Sequence, residues 1–238
     1  MKNKVLAAFS ILAKDYEKNV DNESGYNAYY ERPAMMKLLP SNMSGLNVLD
    51  AGCATSWYTE QFVKLGANVT AVDLSPEMVQ AAKRRVGEKA SIFVQDLSEP
   101  LPFRDETFHL IVSSLTLHYM DDWSSAFREF HRVMKRGGQL VFSVHHPFMD
   151  YTMFQRPDYF AQEWLVDEWK KKESGSVKVS FYRRPLHEII NATTEHFTLD
   201  RIVEPQPVGE FLEKLPMKSE SYDYLMKNPH FLIVQAHK

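Results

Sequence analysis

The chain has 238 residues, 44% apolar and 25% charged, enough for one large soluble domain that needs no disulfide or metal staple. Its single cysteine, Cys53, excludes an intramolecular disulfide and a cysteine-based zinc cluster. Lys and Arg number 28 against 31 Asp and Glu, a formal charge of −3, which argues against a broad nucleic-acid-binding face. The apolar stretch after Lys2 and Lys4 is broken by Lys14, Asp15 and Glu17. It fits neither a signal peptide nor a spanning helix, so the expectation is a cytoplasmic, soluble protein with no membrane partner.

In chain order, Val5, Leu6, Phe9, Leu12 and Ala13 share one helical face. A polar, tyrosine-bearing stretch, 21–32, leads to Pro33, which starts a short helix carrying Met35, Met36, Leu38 and Leu39. From Asn47 the rhythm changes. Val48-Leu49-Asp50 is a strand stopping on an acid, and Gly52 breaks it. Residues 57–65 read as a helix ended by Gly66. The strand 68–73 stops on Asp73, and Ser75-Pro76-Glu77 then opens a helix running to Val86. Ile92-Phe93-Val94 is a third strand beside Asp96, and 109–113 a fourth. A helix over 123–134, a Gly137-Gly138 turn and a fifth strand over 140–144 follow. Such alternation predicts right-handed crossovers and a mostly parallel sheet covered on both faces.

The stretch 148–184 breaks that alternation. It reads as an insertion containing a hairpin, 164–169 paired with 177–182, lying over the sheet's carboxyl end. A helix near 186–194 and strands near 199–203 and 231–236 complete the chain. The organisation is one domain: helical cover 1–45, core 46–147, insertion 148–184 and the remainder of the sheet 185–238.

Ligands of a doubly wound sheet lie beyond the carboxyl ends of its strands. Three successive strands end in acids: Asp50, Asp73 and Asp96. Asp73 lies about 20 residues beyond Gly52, where a carboxylate receives two ribose hydroxyls. A pyrophosphate cofactor needs G-x-G-x-x-G, but this loop reads Gly52-Cys53-Ala54-Thr55-Ser56-Trp57, holds no Lys or Arg, and sits beside Asp50. That argues against an NAD(P)-dependent oxidoreductase. An adenosine whose tail carries an ammonium and a sulfonium suits an acidic loop better.

Several segments resemble the class I S-adenosylmethionine-dependent methyltransferases of the small-molecule "type 11" kind. They are Val48-Leu49-Asp50-Ala51-Gly52-Cys53-Ala54-Thr55, Val72-Asp73-Leu74-Ser75-Pro76-Glu77-Met78, Gln95-Asp96-Leu97, Leu101-Pro102-Phe103 with Phe108 to Val112, Leu117-His118-Tyr119, and Arg132 to Gly138. The resemblance covers about 26–146 well and the last third loosely. It implies an α/β Rossmann-like seven-stranded sheet of order 3-2-1-4-5-7-6 with the last strand antiparallel. It implies S-adenosylmethionine as cofactor and a small-molecule methyl acceptor. Asp50, Ala51, Gly52 and Cys53 would form the methionine-end loop, and Asp73 would take the ribose. Leu74 and Met78 would pack on the adenine. Asp96, flanked by Gln95 and Leu97, would accept from its amino group, and Ser113 and Ser114 would lie near the sulfur. The family loop carries three alternating glycines, whereas Ala54 and Ser56 replace two of them here. Those residues hold the turn if φ is negative there.

His118 and His146 are the candidates for a general base, against the alternative of packing residues. His145-His146 with Asp150 gives no metal site on this reading, because consecutive strand residues face opposite sides. Tyr29 is expected against the cofactor. Tyr26, Tyr30, Tyr159 and Trp164 are expected toward the acceptor, with the aromatic insertion as a lid. Asn228-Pro229-His230-Phe231 echoes a base-methylating tetrad but precedes the last strand, so no nucleic-acid substrate is expected. The reading is a monomer or homodimer that transfers methyl groups. The alternative is a cofactor-binding protein without transferase activity.

Overall fold

The computed structural model describes residues 2–238, Asn22 by its backbone alone. The amino-terminal part is helical: α1 (Lys2–Lys18), α2 (Val20–Glu23), a π-helical turn (Asn27–Glu31) and α3 (Arg32–Met36). The polar stretch 21–32 is therefore largely helical. The π turn lets Tyr30, Glu31 and Arg32 be buried in succession, which no α-helical periodicity would predict.

The core alternates β1 (Asn47–Ala51), α4 (Trp57–Lys64), β2 (Asn68–Asp73), α5 (Pro76–Val86), β3 (Ser91–Val94), β4 (Phe108–Ser114), α6 (Ser124–Val133) and β5 (Met134–His145). Local chemistry sets these bounds. Ser75 accepts from the Met78 N–H at the start of α5, with Pro76 at the first helical position. Gly66, at φ 91°, closes α4. Gly137, at φ 72°, lies inside β5, so the expected glycine turn is a distortion within one long strand. Beyond β5 come α7 (Pro147–Met153), the hairpin strands β6 (Glu163–Lys171) and β7 (Gly175–Arg183), α8 (Leu186–Thr194), β8 (Thr198–Val203), α9 (Glu210–Lys214), α10 (Ser219–Leu225) and β9 (Phe231–His237).

The main sheet runs β3-β2-β1-β4-β5-β9-β8, with β9 antiparallel to both neighbours. Setting aside the separate hairpin β6–β7, this is the expected 3-2-1-4-5-7-6 order. Alternate residues serve opposite faces. Leu49, Ile111, Leu140 and Phe142 meet Phe127 and Phe130 of α6 on one face. Val48, Val69, Leu110, Val112 and Val141 meet Met35, Tyr58 and Phe62 on the other. Crossovers on both faces leave the carboxyl ends of β1 to β4 open toward α1.

The hairpin meets the sheet's carboxyl end through Phe181 of β7, whose ring centre lies 4.5 Å from that of His145 at the end of β5, and it also packs on α1. Val177 and Val179 of β7 pack on Ala8, Leu12 and Ala13 of α1, and Met78 of α5 joins the same cluster. Asp15, 1% exposed, accepts from the N–H groups of Glu173 and Ser174, both at 2.9 Å, in the hairpin turn. The insertion thus clamps α1 over the strand ends. Among the described residues, no helix is long and apolar enough to cross a membrane.

Candidate active site

A cavity of about 630 Å³ opens where β1, β2 and β4 end beneath α1. That volume suits a nucleoside-sized ligand together with a small second molecule. Asp50, Gly52, Cys53, Asp73, Leu74, Gln95, Asp96, Leu97 and Ser114 line it, all of them named from the sequence.

The glycine loop departs from expectation. Ala54 and Ser56 take φ of 45° and 65°, and Gly52 takes 88°, so the left-handed geometry is kept where glycine is missing. A Cβ on Gly52 would collide with the Thr116 side chain, so that position has no room for another residue. The Asp73 carboxylate fixes the loop, accepting from Ala54 N–H at 2.8 Å and Ser75 N–H at 2.9 Å. Asp50 is 1% exposed and accepts from Thr59 Oγ1 at 2.6 Å. Burial pushes its carboxyl up to about 7 and raises that of Asp73 as well. Burial also drives the Cys53 thiol well above its usual range, so it is no thiolate nucleophile. Asp96 accepts from Ser98 N–H at 2.9 Å and from Ser98 Oγ at 2.7 Å, and Lys2 of α1 contacts its other oxygen.

The remaining candidates lie elsewhere. Ala51 is fully buried, its carbonyl accepting from the equally buried Ser113 Oγ at 2.8 Å. Met78 faces α1 in the core. Tyr29 packs on Phe211, and Tyr26 stands 41% exposed beside His230. Tyr30 is fully buried, its hydroxyl accepting from His230 N–H at 3.0 Å. Tyr159 stacks edgewise on Tyr151 and accepts from Leu186 N–H, while Trp164 covers Tyr182 from outside. His118 is 2% exposed and stacked on His145 with ring centroids 4.0 Å apart, and burial holds it well below the usual histidine range. His146 caps α7 through Nδ1, which accepts from Phe148 N–H, and pairs with Glu204 at 2.8 Å. Neither histidine lines the cavity. His145 turns toward Asp150 and His146 toward Glu204, and no metal-binding cluster of three His, Cys, Asp or Glu occurs among the described residues.

Several lining residues carried no signal in the sequence. Lys2, Val5, Leu6, Phe9 and Tyr16 of α1 form the cavity's roof. Tyr119, Met120 and Tyr182 close the far end. Arg32 lines it too, its guanidinium 4.4 Å from the Trp57 ring centre and paired with Asp21 at 2.8 Å. Behind Ser114 lies Glu31, fully buried, which accepts from Ser114 Oγ and Tyr58 OH at 2.8 Å and Ser143 Oγ at 2.5 Å.

Known proteins share this fold and the sequence of its core. The model of a methyltransferase domain family matches residues 49–142, from within β1 into β5. The chain carries a methyltransferase domain. A malonyl-[acyl-carrier protein] O-methyltransferase from Erwinia pyrifoliae is 35% identical over 145 residues, 60% of this chain and 52% of that protein. The chain thus spans about half the length of the relatives of that name that it matches. An S-adenosylmethionine dependent methyltransferase from Mesorhizobium loti superposes with a TM-score of 0.67 at 26% identity, covering 87% of this chain and 97% of its own. A protein from Listeria monocytogenes superposes at 0.73 and 24% identity, over 87% and 96%. The methyltransferase domain supplies the floor of the cavity. The roof comes from α1 and the far end partly from the hairpin, both outside the matched segment.

Proposed function

We propose that this chain transfers the methyl group of S-adenosylmethionine to a small molecule. The observation that carries the reading is one cavity in which Asp50, Asp73 and Asp96, from the ends of β1–β3, are joined by Tyr119, Tyr182 and Phe9, with Asp121 and Asp122 also on its wall. The donor set fits this cofactor. Asp73 keeps unshared lone pairs for two vicinal ribose hydroxyls, and Asp50 favours the methionine ammonium. Arg32 offers guanidinium N–H groups to the methionine carboxylate. Leu74 and Leu97 offer apolar faces to the adenine, and Asp96 an acceptor to its amino group. No Lys or Arg lies within residues 52–57 to hold a pyrophosphate, which disfavours a dinucleotide.

When bound, the cofactor supplies a methyl group already activated by its sulfonium. The chain's own residues then orient two reactants in line and exclude water. Phe9, Tyr119 and Tyr182 form the acceptor wall in this reading. The acyl-carrier-protein acceptor named for the relatives is a second reading, favoured by the 35% identity over the shared segment.

The test is calorimetry with S-adenosylhomocysteine and NADH, followed by transfer of radiolabelled methyl to a metabolite panel and to malonyl-acyl-carrier protein. Binding of S-adenosylhomocysteine alone, with label transferred, is expected. Binding of NADH alone would refute the cofactor, and binding without label transfer on any acceptor would favour a non-catalytic binding protein.

A further inference from the structure

Glu31 is a carboxyl group with no exposure at all, a costly placement unless something uses or fully satisfies it. Three hydroxyls reach it. Ser143 Oγ and Ser114 Oγ both donate to Oε1, and Tyr58 OH donates to Oε2. The two serines differ in one respect. Ser143 is fully buried, outside the cavity, and its oxygen already accepts from Leu115 N–H at 3.0 Å. Ser114, at the end of β4, lines the cavity. A hydroxyl has one proton and two lone pairs, so Ser114, with its proton committed to Glu31, offers lone pairs toward a ligand. The π turn that ends at Glu31 is what delivers the carboxyl to this point.

We propose that Ser114 and Glu31 form the proton-accepting relay of the site, so the methyl acceptor is a hydroxyl or amine that still carries its proton, not a carboxylate. The inference rests on the methyl-transfer reading above. In the step, a lone pair of the acceptor's O or N bonds to the methyl carbon and the carbon–sulfur bond breaks toward sulfur. The acceptor's proton passes to Ser114 Oγ as the Ser114 proton passes to Glu31 Oε1. When product leaves, the proton returns from Glu31 through Ser114 Oγ to the solvent that refills the cavity. Burial raises the Glu31 carboxyl, as an accepting group needs, against the lowering hydrogen bonds and the nearby Arg32. Arg32 and Tyr58 are the titratable groups that face it.

Sinefungin reads this geometry without an acceptor. It carries a carbon bearing an amine in place of the sulfonium and its methyl, and shares the adenosine and the amino-acid end with S-adenosylhomocysteine. The ratio of the two affinities therefore cancels contacts to adenine, ribose and methionine. The relay predicts that sinefungin binds the wild-type protein about tenfold or more tighter, as expected for a hydrogen bond from a charged group. Ser114→Ala and Glu31→Gln should bring the ratio within about twofold, while Ser143→Ala keeps most of it, although it too removes a hydrogen bond from Glu31. Ser114→Ala alone decides the matter if Glu31→Gln does not fold. Equal affinities in the wild-type protein, or equal loss in both serine variants, would overturn the relay and leave Glu31 a structural anchor. Failure of both ligands to bind would instead defeat the methyl-transfer reading beneath it.

Discussion

Three left-handed residues in one loop, Gly52, Ala54 and Ser56, show what the site demands of individual side chains. For alanine and serine that backbone costs about 1–2 kcal/mol each, so the condition of negative φ is not met and the loop's shape outranks local preference. Two hydrogen bonds from Ala54 and Ser75 to the Asp73 carboxylate hold the shape. Asp50 carries the clearest pH consequence. Burial pushes it up to about 7, so without ligand it is partly protonated at neutrality. A ligand ammonium selects the ionised form. Affinity for S-adenosylhomocysteine should level off near about pH 8, before the ligand ammonium itself deprotonates, and fall by up to about tenfold per unit below about 7, because ionising Asp50 then becomes part of binding. Titrations across about pH 6 to 8 measure the slope, which Asp50→Asn should abolish. A level wild-type profile would mean that Asp50 does not face the charged end of the ligand.

At the scale of elements, α1 is the part whose role its own pattern conceals. Its apolar face, Val5, Leu6, Phe9, Leu12 and Ala13, reads as ordinary packing, and helical periodicity does not say whether the partner is a sheet or a ligand. In the structure the face is divided. Ala8, Leu12 and Ala13 meet the hairpin and α5, Val5 and Leu6 roof the cavity, and Phe9 does both, its ring centre 6.5 Å from that of Trp169. The aromatic insertion therefore acts mainly through α1, with Tyr182 alone of its aromatic side chains lining the cavity and Trp164 stacked behind it. Asp15 is the joint between the two. Asp15→Ala would strand the Glu173 and Ser174 N–H groups, at about 1–3 kcal/mol for each one that stays buried. That loosens a local unit and leaves the sheet intact. Limited proteolysis should become faster within 2–18 or 171–175, and S-adenosylhomocysteine should bind roughly tenfold more weakly, ~1.4 kcal/mol. Unchanged affinity with rapid cleavage would show that α1 is not part of the cofactor site.

Across the whole molecule, the sheet was legible because each strand is a short apolar run stopped by a polar or turn residue, with a cap or glycine beside it. Ser75-Pro76 and Gly66 mark helix bounds that the structure repeats closely. The strand-end acids were legible for the same reason, since a strand's last residue has only one end of the sheet to occupy. The sequence said less about residues whose direction depends on irregular backbone. His118 sits on a 3-10 turn after β4 and turns into the core, and His146 at a helix cap turns toward Glu204, so neither faces the cavity. Glu31 and Arg32 reach the site through a π turn that no periodic pattern announces. The cavity itself joins the floor that 49–142 supplies to a roof built from residues far away in the chain. The account's central claim is that this floor holds the adenosyl group through Asp73. Calorimetric titration of S-adenosylhomocysteine into the wild-type chain and a folded Asp73→Ala variant tests it most directly. Binding to the wild-type chain is expected, weakened by about 1.5–3 kcal/mol in the variant, the range for hydrogen bonds to a charged group. No binding to the wild-type chain, or equal affinity in both proteins, would contradict it.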